Sequence, residues 1–300
     1  METAEVFCPA KVNLMLAVTG ERPDGYRDLI SLVAPLEFGD RLALRRVSKA
    51  GVSLKSSGNP VPSGEGNLAV RAATAFLERH PADGGLELEL RKSIPLGAGL
   101  GGGSSDAAGV LLGLNKLLGF PAGTQELHDL ALGIGSDCPL FLHRGPVILR
   151  GRGETIEPLT PAEAAGLRRR RLLLFKPFFG VPTAWAYREI ARAGAYSSSD
   201  AIEARLGAWR RGEEPLESIM TNDFESVVGT KYPAVALVLA ALRKEIGLSA
   251  LLSGSGSAAF ALLPEAAPTA EIDSLIRDAY GPHVFLEQTR IGGSHAEIRG

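Results

Sequence analysis

Residues 95–108 read Pro-Leu-Gly-Ala-Gly-Leu-Gly-Gly-Gly-Ser-Ser-Asp-Ala-Ala, with five glycines between Gly97 and Gly103. The run stands after a strand pattern at 86–90 and directly before a helical pattern that opens at Ser104. Glycine lets the backbone approach a ligand closely and take positive φ. A helix N-terminus adds unpaired N–H groups and the positive end of a dipole. Together these predict an anion site, with phosphate the usual occupant, built from Pro95, Leu96, Gly97, Ala98, Gly99, Leu100, Gly101, Gly102, Gly103, Ser104 and Ser105. The two serines add hydroxyls for phosphate oxygens or a metal. A plain turn before a capped helix would need fewer glycines.

The common phosphate binders fit poorly. A Walker A loop needs Gly-Lys-Ser/Thr, and no Gly-Lys pair occurs in the chain. The nearest matches to the protein-kinase triplets are His143-Arg144-Gly145 and Asp223-Phe224-Glu225, and both fail. Gly97, Gly99 and Gly102 satisfy the dinucleotide-binding G-x-G-x-x-G. The acid expected ~20 residues later is missing, and Pro95 separates the strand from the glycines.

The rest of the chain bounds the setting. Its 300 residues suit two domains. Thirty-two basic against thirty-four acidic residues make a poor general nucleic-acid binder, so no nucleic-acid partner is expected. No apolar run reaches the ~18 residues of a membrane span, and Met1-Glu2-Thr3-Ala4-Glu5 carries acids where an export signal needs positive charge. Two cysteines, Cys8 and Cys138, give no disulfide framework, so a cytoplasmic protein is expected.

Periodicity predicts strands at 12–18, 41–47, 86–90, 172–175, 250–253, 258–263 and 283–288. It predicts helices at 67–79, 104–118, 124–134, 183–193, 200–211, 232–246 and 269–280, with Ser104-Ser105-Asp106 as N-cap chemistry. Elements mix without a regular βαβ beat, which favours α+β. The pattern loosens near residue 160, where a boundary is placed: 1–160 and 161–300. The arginine run Arg168–Arg171 reads as a solvated approach to a strand.

Three ordered motifs resemble those of the GHMP kinases: Pro9-Ala10-Lys11-Val12-Asn13-Leu14, the glycine loop, and Leu252-Ser253-Gly254-Ser255-Gly256-Ser257-Ala258. They span nearly the whole chain. Further likeness lies in Thr19-Gly20-Glu21-Arg22-Pro23-Asp24-Gly25-Tyr26, Asn67-Leu68, Gly135-Ser136-Asp137-Cys138-Pro139-Leu140-Phe141 and Asn222-Asp223-Phe224-Glu225. It points to the branch that phosphorylates a cytidine-diphosphate-linked methylerythritol. Mevalonate, a sugar or homoserine as acceptor, or an S5-like RNA-binding role, are the other readings.

The resemblance implies a ribosomal-S5-like N-terminal domain that binds ATP, a ferredoxin-like C-terminal domain, and a site between them. It implies Asp137 as general base, because a tertiary alcohol is a poor nucleophile at neutral pH. Lys11 would keep that aspartate ionised and steady charge on the attacking oxygen. Cys8 and Cys138 would then flank the same pocket as free thiols. Loop amides at Gly99–Ser105 would hold the phosphates of ATP, with Mg2+ bridging them. Gly254–Gly256 would let the C-terminal domain approach phosphate or substrate. Tyr26 and Tyr187 would stack on cytosine, Asn13 would bind the erythritol hydroxyls, and Asn67-Leu68 is the candidate for reading adenine. The family has a histidine after this tyrosine. This chain has Arg27, which donates hydrogen bonds and accepts none. It is expected to contact the diphosphate or point to solvent.

Overall fold

The computed structural model describes residues 3–292. Met1 and Glu2 of the acidic N-terminal stretch, and 293–300 of the C-terminal half, lie outside them.

A long hairpin, β1 (Thr3–Glu21) with β2 (Arg27–Val47), organises the N-terminal half. It is followed by β3 (Gly51–Gly58), α1 (Leu68–Arg79), β4 (Gly85–Lys92), α2 (Gly102–Leu117) and α3 (Thr124–Ile134). A second hairpin, β5 (Val147–Gly151) and β6 (Thr155–Pro158), pairs back onto β2, and α4 (Pro161–Ala165) follows. The sheet runs β3-β4-β2-β1-β8, with β5 and β6 branching from β2. Helices α1, α2 and α3 cover it, with Phe76, Leu111, Leu114 and Leu130 in one apolar cluster with Leu88 of β4.

The later half holds β7 (Arg171–Lys176), α5 (Thr183–Ala193), α6 (Ser199–Arg210), α7 (Leu216–Ile219), β8 (Thr221–Asn222), α8 (Phe224–Lys231) and α9 (Pro233–Lys244). It closes with β9 (Ala250–Leu252), β10 (Ala259–Leu263), α10 (Thr269–Tyr280) and β11 (Phe285–Arg290). Strands β11-β7-β10-β9 form an antiparallel sheet. The two-residue β8 instead joins the first sheet beside β1. One apolar core runs through both sheets, from Val12 and Leu14 to Leu174 and Phe260. The architecture is α+β, as expected.

Several elements are longer than periodicity predicts. Residues 29–36 of β2 are all buried, so they show no polar alternation. β3 is a largely exposed edge strand with a polar sequence. Helix α2 starts two residues early. Its N-cap is Gly101 at φ +72°, and no side chain caps it. The left-handed glycine turns the loop directly into the helix, so Ser104, Ser105 and Asp106 lie inside it. The arginine run is split. Arg170 pairs with Glu217 and Arg171 reaches Glu265 O, while Arg168 and Arg169 are exposed beside a cavity of about 650 Å3.

Candidate active site

Strand β1 carries the first side chains. Lys11 and Asn13, two residues apart, share one face of the strand, and both line a cavity of about 350 Å3 between the two halves. Lys11 Nζ donates to Asn13 Oδ1 at 2.6 Å, Asn13 Nδ2 to Ser31 Oγ at 2.9 Å, and Ser31 Oγ to Met15 O at 2.6 Å. This chain fixes the ammonium. Burial lowers the pKa of Lys11, and the negative charge of Asp137 acts in the opposite direction.

The glycine loop lies against this strand. Lys11 N donates to Leu100 O at 3.0 Å. Ala98 and Leu100 are buried in the core and anchor the loop. Gly99, Gly101 and Ser104 face the cavity. A Cβ on Gly101 would lie 2.6 Å from Phe141 Cζ and 3.0 Å from Lys11 Cγ. Ser105 N already bonds Gly101 O, leaving the amides of Gly102, Gly103 and Ser104 to head α2. Such a helix start is built for an anion. Ser105 Oγ is buried without a partner among the described residues. Leu96 is exposed, and Pro95, Leu96, Gly97, Gly102 and Gly103 do not line the cavity.

The second glycine motif backs the first. Ser253 Oγ donates to Gly99 O at 3.1 Å, and Ala258 N donates to Ala98 O at 3.1 Å. Gly254 and Ser255 reach the same cavity. Asn222 of β8 holds this turn, its Nδ2 donating to Leu252 O at 2.7 Å and Gly254 O at 2.9 Å. Asp223 accepts from Val18 N at 2.8 Å, and Glu225 accepts from Leu252 N at 2.9 Å. The 222–225 segment thus stitches β1 to the second glycine turn.

Asp137 lies exposed in the turn between α3 and the 3-10 helix Pro139–Leu142, and it lines the same cavity. Its neighbour Cys138 is hydrogen-bonded to Ser104, and burial pushes that thiol up to about 11. Cys8 and Cys138 are free and buried in one apolar cluster, and neither lines the cavity.

Tyr187 of α5 lines this cavity and a second one of about 550 Å3 beside it. Its ring meets Phe224 edge-on at 4.8 Å, and burial pushes its hydroxyl up to about 12. Tyr26 lines the outer cavity and is 55% exposed. The Arg152 guanidinium lies 5.0 Å over its ring. Arg27 is half-buried and lines the outer cavity beside Tyr26, its Nε without a partner among the described residues. It pairs with Glu21 at 2.9 Å and donates to Gly25 O at 2.8 Å and Tyr26 O at 3.1 Å. It folds back onto its own turn because the carbonyls there need donors. Asn67 is likewise occupied. Its Oδ1 accepts from Ala69 N at 2.9 Å and its Nδ2 donates to Pro62 O at 3.1 Å, so it caps α1.

One cavity therefore gathers Lys11, Asn13, Gly99, Gly101, Ser104, Asp137 and Tyr187, with Tyr26 next door. Sequence reasoning missed Ser31, Arg152 and Thr183, which also line it. No local motif marks them. Among the described residues no helix is long and apolar enough to cross a membrane.

The profile described as GHMP kinases N terminal domain matches residues 67–145, and that described as GHMP kinases C terminal matches 200–281. A 4-diphosphocytidyl-2-C-methyl-D-erythritol kinase of Methylacidiphilum infernorum is 40% identical over 271 residues, 87% of each chain. A crystal structure of 4-(cytidine 5'-diphospho)-2C-methyl-D-erythritol kinase superposes with TM-score 0.77 at 38% identity, covering 96% of this chain and 100% of that one. A homoserine kinase from Cytophaga hutchinsonii shares the fold at TM-score 0.73 and 20% identity, covering 100% of this chain and 97% of its own. The chain belongs to the GHMP kinases, within the family of the 4-diphosphocytidyl-2-C-methyl-D-erythritol kinases.

Proposed function

We propose that the chain transfers the γ-phosphoryl group of ATP to the 2-hydroxyl of 4-diphosphocytidyl-2-C-methyl-D-erythritol, a step of the non-mevalonate route to isoprenoid precursors. The observation that carries the reading is one cavity lined by Lys11, Asp137 and the glycine loop's Gly99 and Gly101. Its extension past Tyr187 to Tyr26 suits a long acceptor with an aromatic end.

In this reading Asp137 accepts the proton of the 2-hydroxyl as that oxygen forms its bond to phosphorus and the bond to ADP breaks. Lys11 supplies positive charge beside the attacking oxygen, held in aim by Asn13. Asn13 also offers hydrogen bonds to the erythritol. Gly101 and Ser104 bring the head of α2 to the cavity, and the free amides of Gly102, Gly103 and Ser104 at that head hold the phosphates, with Gly99 and Gly101 giving close approach. Gly254 and Ser255 close the same space from the other sheet. Tyr26 and Tyr187 take the cytosine. Ser104 puts a hydroxyl oxygen into the cavity, which fits Mg2+ held mainly by phosphate oxygens. When bound, the ion would neutralise phosphate charge.

The ATP-binding unit is placed at 1–160 and the second unit at 161–300. Two free buried thiols suit a reducing cytoplasm. Small molecules are the partners, without nucleic acid.

The test is ADP release with ATP, Mg2+ and 4-diphosphocytidyl-2-C-methyl-D-erythritol, with mevalonate and homoserine run in parallel. Turnover with the cytidyl acceptor alone is expected. Turnover with another acceptor alone would keep the kinase and remove this substrate.

A further inference from the structure

Lys92, Asp40 and Asp106 form a charged cluster behind the glycine loop that lines neither cavity of the site. Their side chains are 3%, 0% and 4% exposed. Lys92 ends β4, Asp40 lies in β2, and Asp106 lies near the start of α2. Lys92 Nζ donates to Asp40 Oδ2 at 2.5 Å and to Asp106 Oδ2 at 2.6 Å. Asp40 Oδ1 accepts from Ser93 N at 2.6 Å and Ile94 N at 2.9 Å, the residues that lead from β4 into the loop.

The ammonium also abuts the helix start. A Cβ on Gly102 would lie 2.9 Å from Lys92 Nζ and 3.0 Å from Ile94 Cγ2. One cation therefore ties two strands to the first turns of α2. Burying two carboxylates around one ammonium is a costly way to join elements that apolar contacts could join. Its placement under the helix start gives it a use.

We propose that Lys92 is a positioning residue for the phosphate loop. Through Asp106 it holds the first turn of α2, and with it the amides of Gly102, Gly103 and Ser104, in the place the phosphates of ATP require. The inference rests on the phosphate reading of the loop.

A pure charge effect would act the other way at Asp106. A carboxylate behind a polyanion site repels the polyanion, so deleting it would tighten binding. Positioning makes the opposite prediction when the oxygen that Lys92 holds is removed. It also predicts recovery when that oxygen is kept without the charge. Asp106→Ala removes the oxygen and leaves Lys92 paired with Asp40. Asp106→Asn keeps an oxygen for Lys92 and sends its amide toward the place of Oδ1, which has no partner among the described residues.

The experiment measures MgATP affinity by calorimetry for the native chain and both variants, with kcat and both KM values alongside. Asp106→Ala is expected to bind MgATP roughly 3–30-fold more weakly, the range for a perturbed helix terminus. Its KM for ATP should rise in proportion while the acceptor KM stays. Asp106→Asn should lie within about threefold of native by the same scale. Two variants that both bind as tightly as native, or tighter, would overturn the proposal. An Asn variant as weak as the Ala variant would also overturn it. If Asp106→Ala yields no folded protein, Asp106→Leu, which fills the same space without an oxygen for Lys92, takes its place and is judged by the same outcomes. A native chain that binds no MgATP would overturn the phosphate reading itself, and this inference with it.

Discussion

A Cβ on Gly99 would lie 2.2 Å from the carbonyl oxygen of Ser253. Gly99 also has φ +76°. The two glycine motifs, more than 150 residues apart in sequence, are thus in backbone contact, and only a residue without a side chain fits. Gly99→Ala should force the two turns apart and lose about 2 kcal/mol or more from backbone strain and overlap. Thermal unfolding with and without MgATP measures this. The expected result is a lower Tm and a smaller shift with nucleotide.

Asp137 is exposed in a turn, so its replacement should spare the fold. Asp137→Asn is expected to lower turnover by roughly 10²–10⁴-fold, the usual range for a lost general base. MgATP affinity should change little. Near-native turnover would remove Asp137 from the reaction.

Gly101→Val should weaken MgATP binding. Its Cβ would meet Phe141 and the stem of Lys11, so the loop must shift away from the amides that head α2. Unchanged affinity in a folded variant would contradict the placement of the phosphates.

Burial lowers the pKa of Lys11 from the ordinary lysine value of 10.5. Folded Lys11 therefore holds its proton less tightly than unfolded Lys11. Raising the pH between the folded and unfolded values favours the folded chain while removing the charge the reaction uses. The alkaline fall in kcat/KM should set in below pH 10.5, with no matching loss of Tm. An alkaline limb that tracks unfolding would contradict this role.

Tyr26 is exposed and holds little of the core. Tyr26→Ala should leave Tm nearly unchanged and raise the KM for the cytidyl acceptor by roughly tenfold, the scale of base–aromatic stacking. KM for ATP should not move. An equal rise in both would place Tyr26 outside the acceptor site.

Much of the frame was legible from local pattern. Helices over Thr124–Ile134, Thr183–Ala193 and Thr269–Tyr280 coincide with their periodic runs because each buries one stripe and ends at Gly135, Gly194 or Gly281. Lys11, Asn13, Asp137 and Tyr187, singled out through the resemblance, line one cavity. Other features depend on tertiary packing. The inner part of β2 is buried without alternation. Lys92 looks like an ordinary strand-end lysine until Asp40 and Asp106 fold against it. Arg27 is drawn to Glu21 and to carbonyls of its own turn, and Asn67 to the cap of α1. Those pairings follow from backbone groups that need partners, which no side-chain pattern reveals.

The most direct test of the central claim is 31P NMR of the product formed from ATP, Mg2+ and 4-diphosphocytidyl-2-C-methyl-D-erythritol. A new phosphomonoester resonance should grow one-for-one with ADP while the acceptor's diphosphate stays intact, and it should be nearly absent with Asp137→Asn. ADP that forms without a new phosphomonoester, or an acceptor left unphosphorylated while ATP binds, would contradict the account.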